Sequence, residues 1–401
     1  MREVAEDSIY RPWPTTKDEE WKYTDLRELV ASSFSTDLAP AKVASLQGHD
    51  LGLEDATRIV FVNGLYREDL TSSLQVEGVE IRTLQCVAND PSDKLTHFFG
   101  KVLADTGNLL AQRNTAKFEN GVYVRVTRGQ RVEAPIHIVF IGANATESNP
   151  RVLIVAEEGS ESTIVESYSS VDDCTSFVNA VVEVHVSQNA KLEHIKTQLC
   201  NNNSFHIATT SVKQERDSSY SHYDLTLGGK LTRNDLNVFL NGENTHTRMD
   251  GVYVQNGTQH CDHHTRLDHA KPNCNSFEVY KAVLDDEASG VFNGKIFVYE
   301  DAQKTDAKQT NQSLLLSPRA QINTKPQLEI FADDVKCTHG ATIGQLRADA
   351  MFYLRSRGIH QDDARALLVY AFAAEVVERI SHKGLRITLE EHISRKLERA
   401  S

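Results

Sequence analysis

Cysteine and histidine are the side chains that bind iron, zinc and reactive sulfur. The segment "ADDVKCTHGATIGQL" places Cys337 and His339 two positions apart. On a strand, residues i and i+2 share a face and stand roughly 7 Å apart. Both can therefore reach one common object, yet two ligands do not complete a metal site. Taken alone, a strand Cys-x-His is most often a packed thiol beside a satisfied histidine. Its place at the end of a β-rich region, where a last strand has an open edge, argues the other way.

A denser set of ligand types occurs in "QHCDHHTRLDHAKPNC", with His260, Cys261, His263, His264, His269 and Cys274. All six can bind zinc, but the spacing matches no paired CxxC ribbon. On a strand, Cys261 and His263 share a face and His264 points the other way. The segment is therefore expected to be structural, its side chains stacked along a β surface and bonded to turn backbone. A stand-alone zinc protein is the alternative it keeps open. Asp172-Asp173 and Asp333-Asp334 invite comparison with carboxylate-based polysaccharide lyases, although Asp-Asp beside a strand is usually a solvated turn. No GxSxG nucleophile elbow and no phosphate-binding GxxxxGK[ST] occur, so the chain is not expected to bind ATP itself.

The elements that must carry these residues fall into three regions, at 1–118, 119–343 and 344–401. The first is mixed and helical. "PTTKDEEWKYTDLREL" has Thr15 or Thr16 before an acidic first turn, which predicts a helix start. "RIVFVNGLYRED" predicts a strand and a turn on Asn63-Gly64. Leu95, Phe98, Phe99, Val102 and Leu103 recur at helical spacing.

From about Gly121 to His339 the period is two, in runs such as "GVYVRVTRG", "APIHIVFIG" and "NAVVEVHVSQN". A slower rhythm aligns on Gly159, Asn189, Asp217 and Gly242, with steps of 30, 28 and 25 residues. A drifting strand-turn-strand repeat over this length favours a stacked β-solenoid. A β-sandwich is the competing reading, but its core is expected to stop well short of this length.

After Leu346 helix returns. Gly358 is expected to stop the "ADAMFYLRS" helix, and Gln361 or Asp362 to begin the next. The run Ala364–Val377 is apolar almost all round, so that helix is either deeply buried or docked on a partner. An anchor set at Leu368, Phe372 and Val376 suits a partner's groove. "TLEEHISRKLERA" is expected to be an exposed terminal helix.

Composition narrows the function. The 401 residues are 40% hydrophobic and 25% charged, with 43 Lys plus Arg against 56 Asp plus Glu, a net charge of −13. A phosphate-neutralising protein needs the opposite sign on one face, so nucleic-acid binding is not expected. The N-terminal residues lack the apolar run of a secretory signal, and no window approaches a membrane span. Six scattered cysteines (Cys86, Cys174, Cys200, Cys261, Cys274 and Cys337) suggest reduced thiols in a cytosol-like compartment.

The run from Ala302 to Ile359, "AQKTDAKQTNQSLLLSPRAQINTKPQLEIFADDVKCTHGATIGQLRADAMFYLRSRGI", closely resembles a signature of the SufB/SufD family of iron–sulfur cluster assembly proteins. "FNGKIFV", "DGVYVQNGTQHCDHHT", "LTRNDLNVFLNGENT" and "PTTKDEEWKYTDL" are similar to its other blocks. SufB-like chains carry a Glu-His-Glu-Ala-type segment where this one reads Cys337-Thr338-His339-Gly340-Ala341, and a cysteine where it has Asn311. Both departures favour the SufD branch.

The resemblance implies a right-handed parallel β-helix between N-terminal and C-terminal helical domains. It implies a non-catalytic scaffold that pairs with SufB and docks the ATPase SufC. His339 would be an interface ligand for a nascent iron–sulfur cluster, with Cys337 as its strand neighbour. No tightly bound cofactor is expected in the isolated chain, which could pair with a second copy. The compartment would be the cytoplasm, or the plastid stroma in a photosynthetic eukaryote.

Overall fold

The computed structural model describes residues 7–35, 43–84, 94–103, 108–171 and 173–398; Cys86 and Asp172 lie outside them. Two long sheets face each other, and nearly every strand pair is parallel. Successive strands alternate between the sheets, the path of a parallel β-helix. The first sheet runs through Thr57–Val62, Ile136–Gly142, Glu161–Ser170, Lys191–Leu199, Ser219–Thr226, His246–Gln255, Asn275–Leu284 and Asp306–Leu315 to Lys336–Gly344. The second runs from Gly121–Val126 through Arg151–Ala156, Phe177–Val186, Phe205–Gln214, Leu231–Leu240, His260–His269 and Ser289–Val298 to Gln321–Ile330. The solenoid reading of the sequence holds and the sandwich reading does not.

The coils are set by a column of left-handed residues at one turn: Gly129, Gly159, Asn189, Asp217, Asn244 and Asn273 all have φ between 56° and 70°. Glycine, asparagine and aspartate tolerate this region best. The amide of each donates to the coil above, as Gly159 does to the Gln188 carbonyl and Asp217 to that of Glu243. The repeat phase assigned to Gly242 therefore belongs to Asn244. Gly242 answers a different need, since a Cβ there would lie 2.0 Å from the Arg216 nitrogen.

The interior changes character along the axis. The early coils pack aliphatic residues such as Ile138, Val152, Ile154, Ile164 and Val182. Later coils bury His194, Lys196, His222, Asp224, Asn234, Glu278 and Gln309 instead. Each outer face is covered. The C-terminal helices Gln361–Val377 and Lys383–Glu398 lay Val369, Ala373, Val376, Leu385, Leu389 and Ile393 on Ile195, Leu225, Val252 and Val283 of the first sheet. The N-terminal segment sets Trp21, Leu26 and Leu29 against Phe177, Phe205 and Ile207 of the second.

Several local expectations hold. Asn63 and Gly64, at φ 51° and 80°, turn the first strand back onto Leu65–Tyr66. Gly358, at φ 85°, closes the helix Ala348–Ser356 through its amide to the Arg355 carbonyl. Others are corrected. The run expected to be helical near residue 95 is a 3-10 turn, Lys94–His97, and helix begins only at Leu109. Gly100 takes φ 70°, and the amides of Gly100 and Leu103 turn to the buried Glu183 carboxylate, at 3.0 and 3.2 Å.

Thr15 starts a turn rather than a helix, its amide bonded to Asp18 Oδ2 at 2.7 Å, ahead of a 3-10 turn at Glu19–Trp21. The terminal helix expected to be exposed buries Leu385, Leu389 and Ile393 on one stripe. The i, i+4, i+8 spacing of those three residues explains why.

Candidate functional site at the open end of the solenoid

Coverage stops at the last coil. The strand Lys336–Gly344 has a free edge, and no residue of it is buried. Its partner across the interior, Gln321–Ile330, is only half-buried. Exposed apolar side chains gather here, among them Phe331 at 60% and Ile343 at 50% exposure. An uncovered strand edge with apolar neighbours is a template for another chain.

Cys337 and His339 stand on this strand, paired in register with Ala307 and Gln309. Ala307 belongs to the interior cluster, and Cys337 packs against that cluster. By alternation both site residues take the inward face of the terminal coil. Cys337 is half-buried, and burial pushes its thiol up. His339 is exposed. Thiolate and imidazole are donors that suit iron and its sulfides. Among the described residues no three His, Cys, Asp or Glu side chains are grouped to hold a metal ion.

The residues of the 260–274 segment are spread over both faces of the strand His260–His269 and its following turn. His260 bonds to Thr24 Oγ1 and Ser289 Oγ, at 3.0 and 2.7 Å. His269 bonds to Ser276 Oγ at 2.9 Å, and the Cys274 thiol to the Gly242 carbonyl at 3.3 Å. Cys261 and His263 are buried in the interior, where His263 lies between Tyr253 and Tyr280. His264 faces out, between Asp262 at 3.0 Å and Glu20 at 3.2 Å. Of the acidic pairs, Asp333 is exposed and Asp334 pairs with Lys304.

The apolar anchors assigned to the Gln361–Val377 helix are corrected by its orientation. Val376 is 2% exposed against the first sheet. Phe372 packs on the same cluster, its ring 4.6 Å from the buried Lys281 ammonium. Lys281 also donates to the Phe372 carbonyl at 3.1 Å and pairs with Glu375. Leu368 is half-buried. The apolar side chains this region does expose include Phe352, Tyr353 and Leu367, and the helix carrying the first two buries none of its residues.

Two features went unnoticed in the sequence, Glu278 and Gln309. They precede His339 by 61 and 30 residues, that is, by two coils and one, so the coil period was the signal that could have found them.

The fold is a parallel β-helix whose last coil carries Cys337 and His339 on a strand with no buried residue. The chain's residues 139–372 match the SufBD core domain of the SUF system for iron–sulfur cluster assembly, and residues 2–138 match the SufBD N-terminal region. It belongs to the SufBD family. It is 36% identical to the iron–sulfur cluster assembly protein SufD of Escherichia coli, over 96% of this chain and 89% of that one. A SufBD family protein of Synechocystis is 35% identical over 95% and 87%. A chloroplastic protein of Arabidopsis thaliana is 32% identical over 97% and 84%. SufB of Bacillus subtilis is 24% identical over 76% of this chain. No helix among the described residues is long and apolar enough to cross a membrane.

Proposed function

We propose that this chain is a non-catalytic scaffold subunit of iron–sulfur cluster assembly. It pairs with a SufB-type chain through its last coil, and His339, supported by Cys337, ligates the nascent cluster at that junction. The observation that carries this reading is the inward-facing Cys337–His339 pair on a strand that nothing covers among the described residues. Two ligands alone hold iron poorly, and a site split between two chains can be opened by moving one against the other. An ATPase of the SufC type supplies that movement. The surface suited to it is the unburied helix Ala348–Ser356 with Leu367 nearby. The working compartment is the cytoplasm, or the stroma in a plastid.

Co-expression with SufB- and SufC-type partners, with isolation through a tag on this chain, tests the assembly. Recovery of all three supports it. Recovery of a folded chain with neither partner refutes it.

A further inference from the structure

The inward-facing side chains of the first sheet stack coil on coil. One column carries His194, His222, Met249, Glu278, Gln309 and His339 in register. Its last buried members are joined, with Gln309 Nε2 donating to Glu278 Oε2 at 2.7 Å. Both side chains are 1% exposed, and burial lifts the Glu278 carboxyl to about 7. The space the amide occupies is kept by Gly294, where a Cβ would come within 2.3 Å of Gln309 Nε2. Gln309 Oε1 is also buried, yet it has no hydrogen-bond partner among the described residues. A buried acceptor left unpaired is costly, so such an atom calls for a donor. The amide nitrogen is committed to the coil below, and the neighbour on the other side of the column is His339.

We propose that Gln309, held by Glu278, is a positioning residue for His339. When the imidazole turns inward over the coil, Gln309 Oε1 accepts a hydrogen bond from one ring N–H. That bond fixes the tautomer and leaves the lone pair of the other ring nitrogen for iron, as a carbonyl oxygen behind a metal-binding histidine does. Glu278 keeps the amide from flipping. The proposal rests on the reading of His339 as an iron ligand.

The test uses the full chain with 15N-labelled imidazoles and no iron, the His339 resonances being assigned by comparison with His339→Gln. The wild type is expected to show one dominant His339 tautomer. Gln309→Leu, or Gln309→Met of equal length should the leucine unfold the coil, is expected to shift the mixture to that of a free imidazole. Gln309→Glu, which retains an acceptor, is expected to keep the bias. In the complex with its partners, Gln309→Leu should lower Fe(II) affinity about 10-fold or more. The same tautomer ratio in wild type and in a folded Gln309→Leu or Gln309→Met overturns the proposal. Because the spectrum contains no iron, that failure is distinct from a failure of His339 as a ligand.

Discussion

His339 lies one coil above Gln309, in register on the adjoining strand and on the same inward face. The candidate ligand is thus the exposed end of a buried polar column and not an isolated surface histidine. Aliphatic side chains would stabilise these coils with fewer demands, since every buried polar group needs a partner. The polar stretch of the interior lies toward the end that a second chain would cover.

The anchorage of the N-terminal segment should depend on pH. Burial disfavours charge on His264, but the Asp262 charge and the hydrogen bonds its ring donates to Asp262 and Glu20 outweigh it and lift the group to about 9. Arg233, bonded to Asp262 at 3.0 Å and placed 3.9 Å over the Trp21 ring, acts against it. A folded-state value raised above the unfolded 6.5 means the stabilisation is full below about pH 6.5 and is lost as pH rises through about 9. Melting temperature should therefore fall over that window, and His264→Gln should flatten the fall. An unchanged profile in the variant would refute the assignment.

Removing His263 or Cys261 should weaken the fold without releasing metal. His263 fills the space between two tyrosine rings, 4.9 and 5.1 Å away. Its loss leaves a cavity costing about 2–4 kcal/mol. Urea melts and metal analysis of wild type and His263→Ala check this. Stoichiometric zinc in the wild type that disappears in the variant would contradict it.

Glutamate substitutions on the C-terminal helices should separate two roles. Val376→Glu buries a charge against the first sheet and should lower the melting temperature sharply. Phe352→Glu and Leu367→Glu alter exposed side chains, so they should leave folding unchanged and reduce ATPase association about 10-fold or more. Full association with both of these variants would remove the docking surface from this face.

Much of the fold was legible because strand alternation and left-handed turn residues are local signals. Asn189 and Asp217 mark their turns whatever surrounds them. The step from Asp217 to Asn244 was misread as ending at Gly242, because a glycine chosen for close approach looks the same as one chosen for φ. The break at Gly100 depends on the distant Glu183 carboxylate, and the burial of Val376 depends on which face of an all-apolar helix meets the sheet. Neither is a local property. Of the site, Cys337 and His339 could be named from residue type and family resemblance. Gln309 could not be tied to His339 until the 30-residue coil placed one over the other.

The most direct test of the central claim is the iron–sulfur cluster content of the purified complex with wild-type chain or His339→Ala, at matched subunit stoichiometry. His339 is exposed, so the variant should fold and assemble normally. Its cluster content should be abolished or greatly reduced, with a milder loss for Cys337→Ala. Equal cluster content in His339→Ala and wild type would contradict the account.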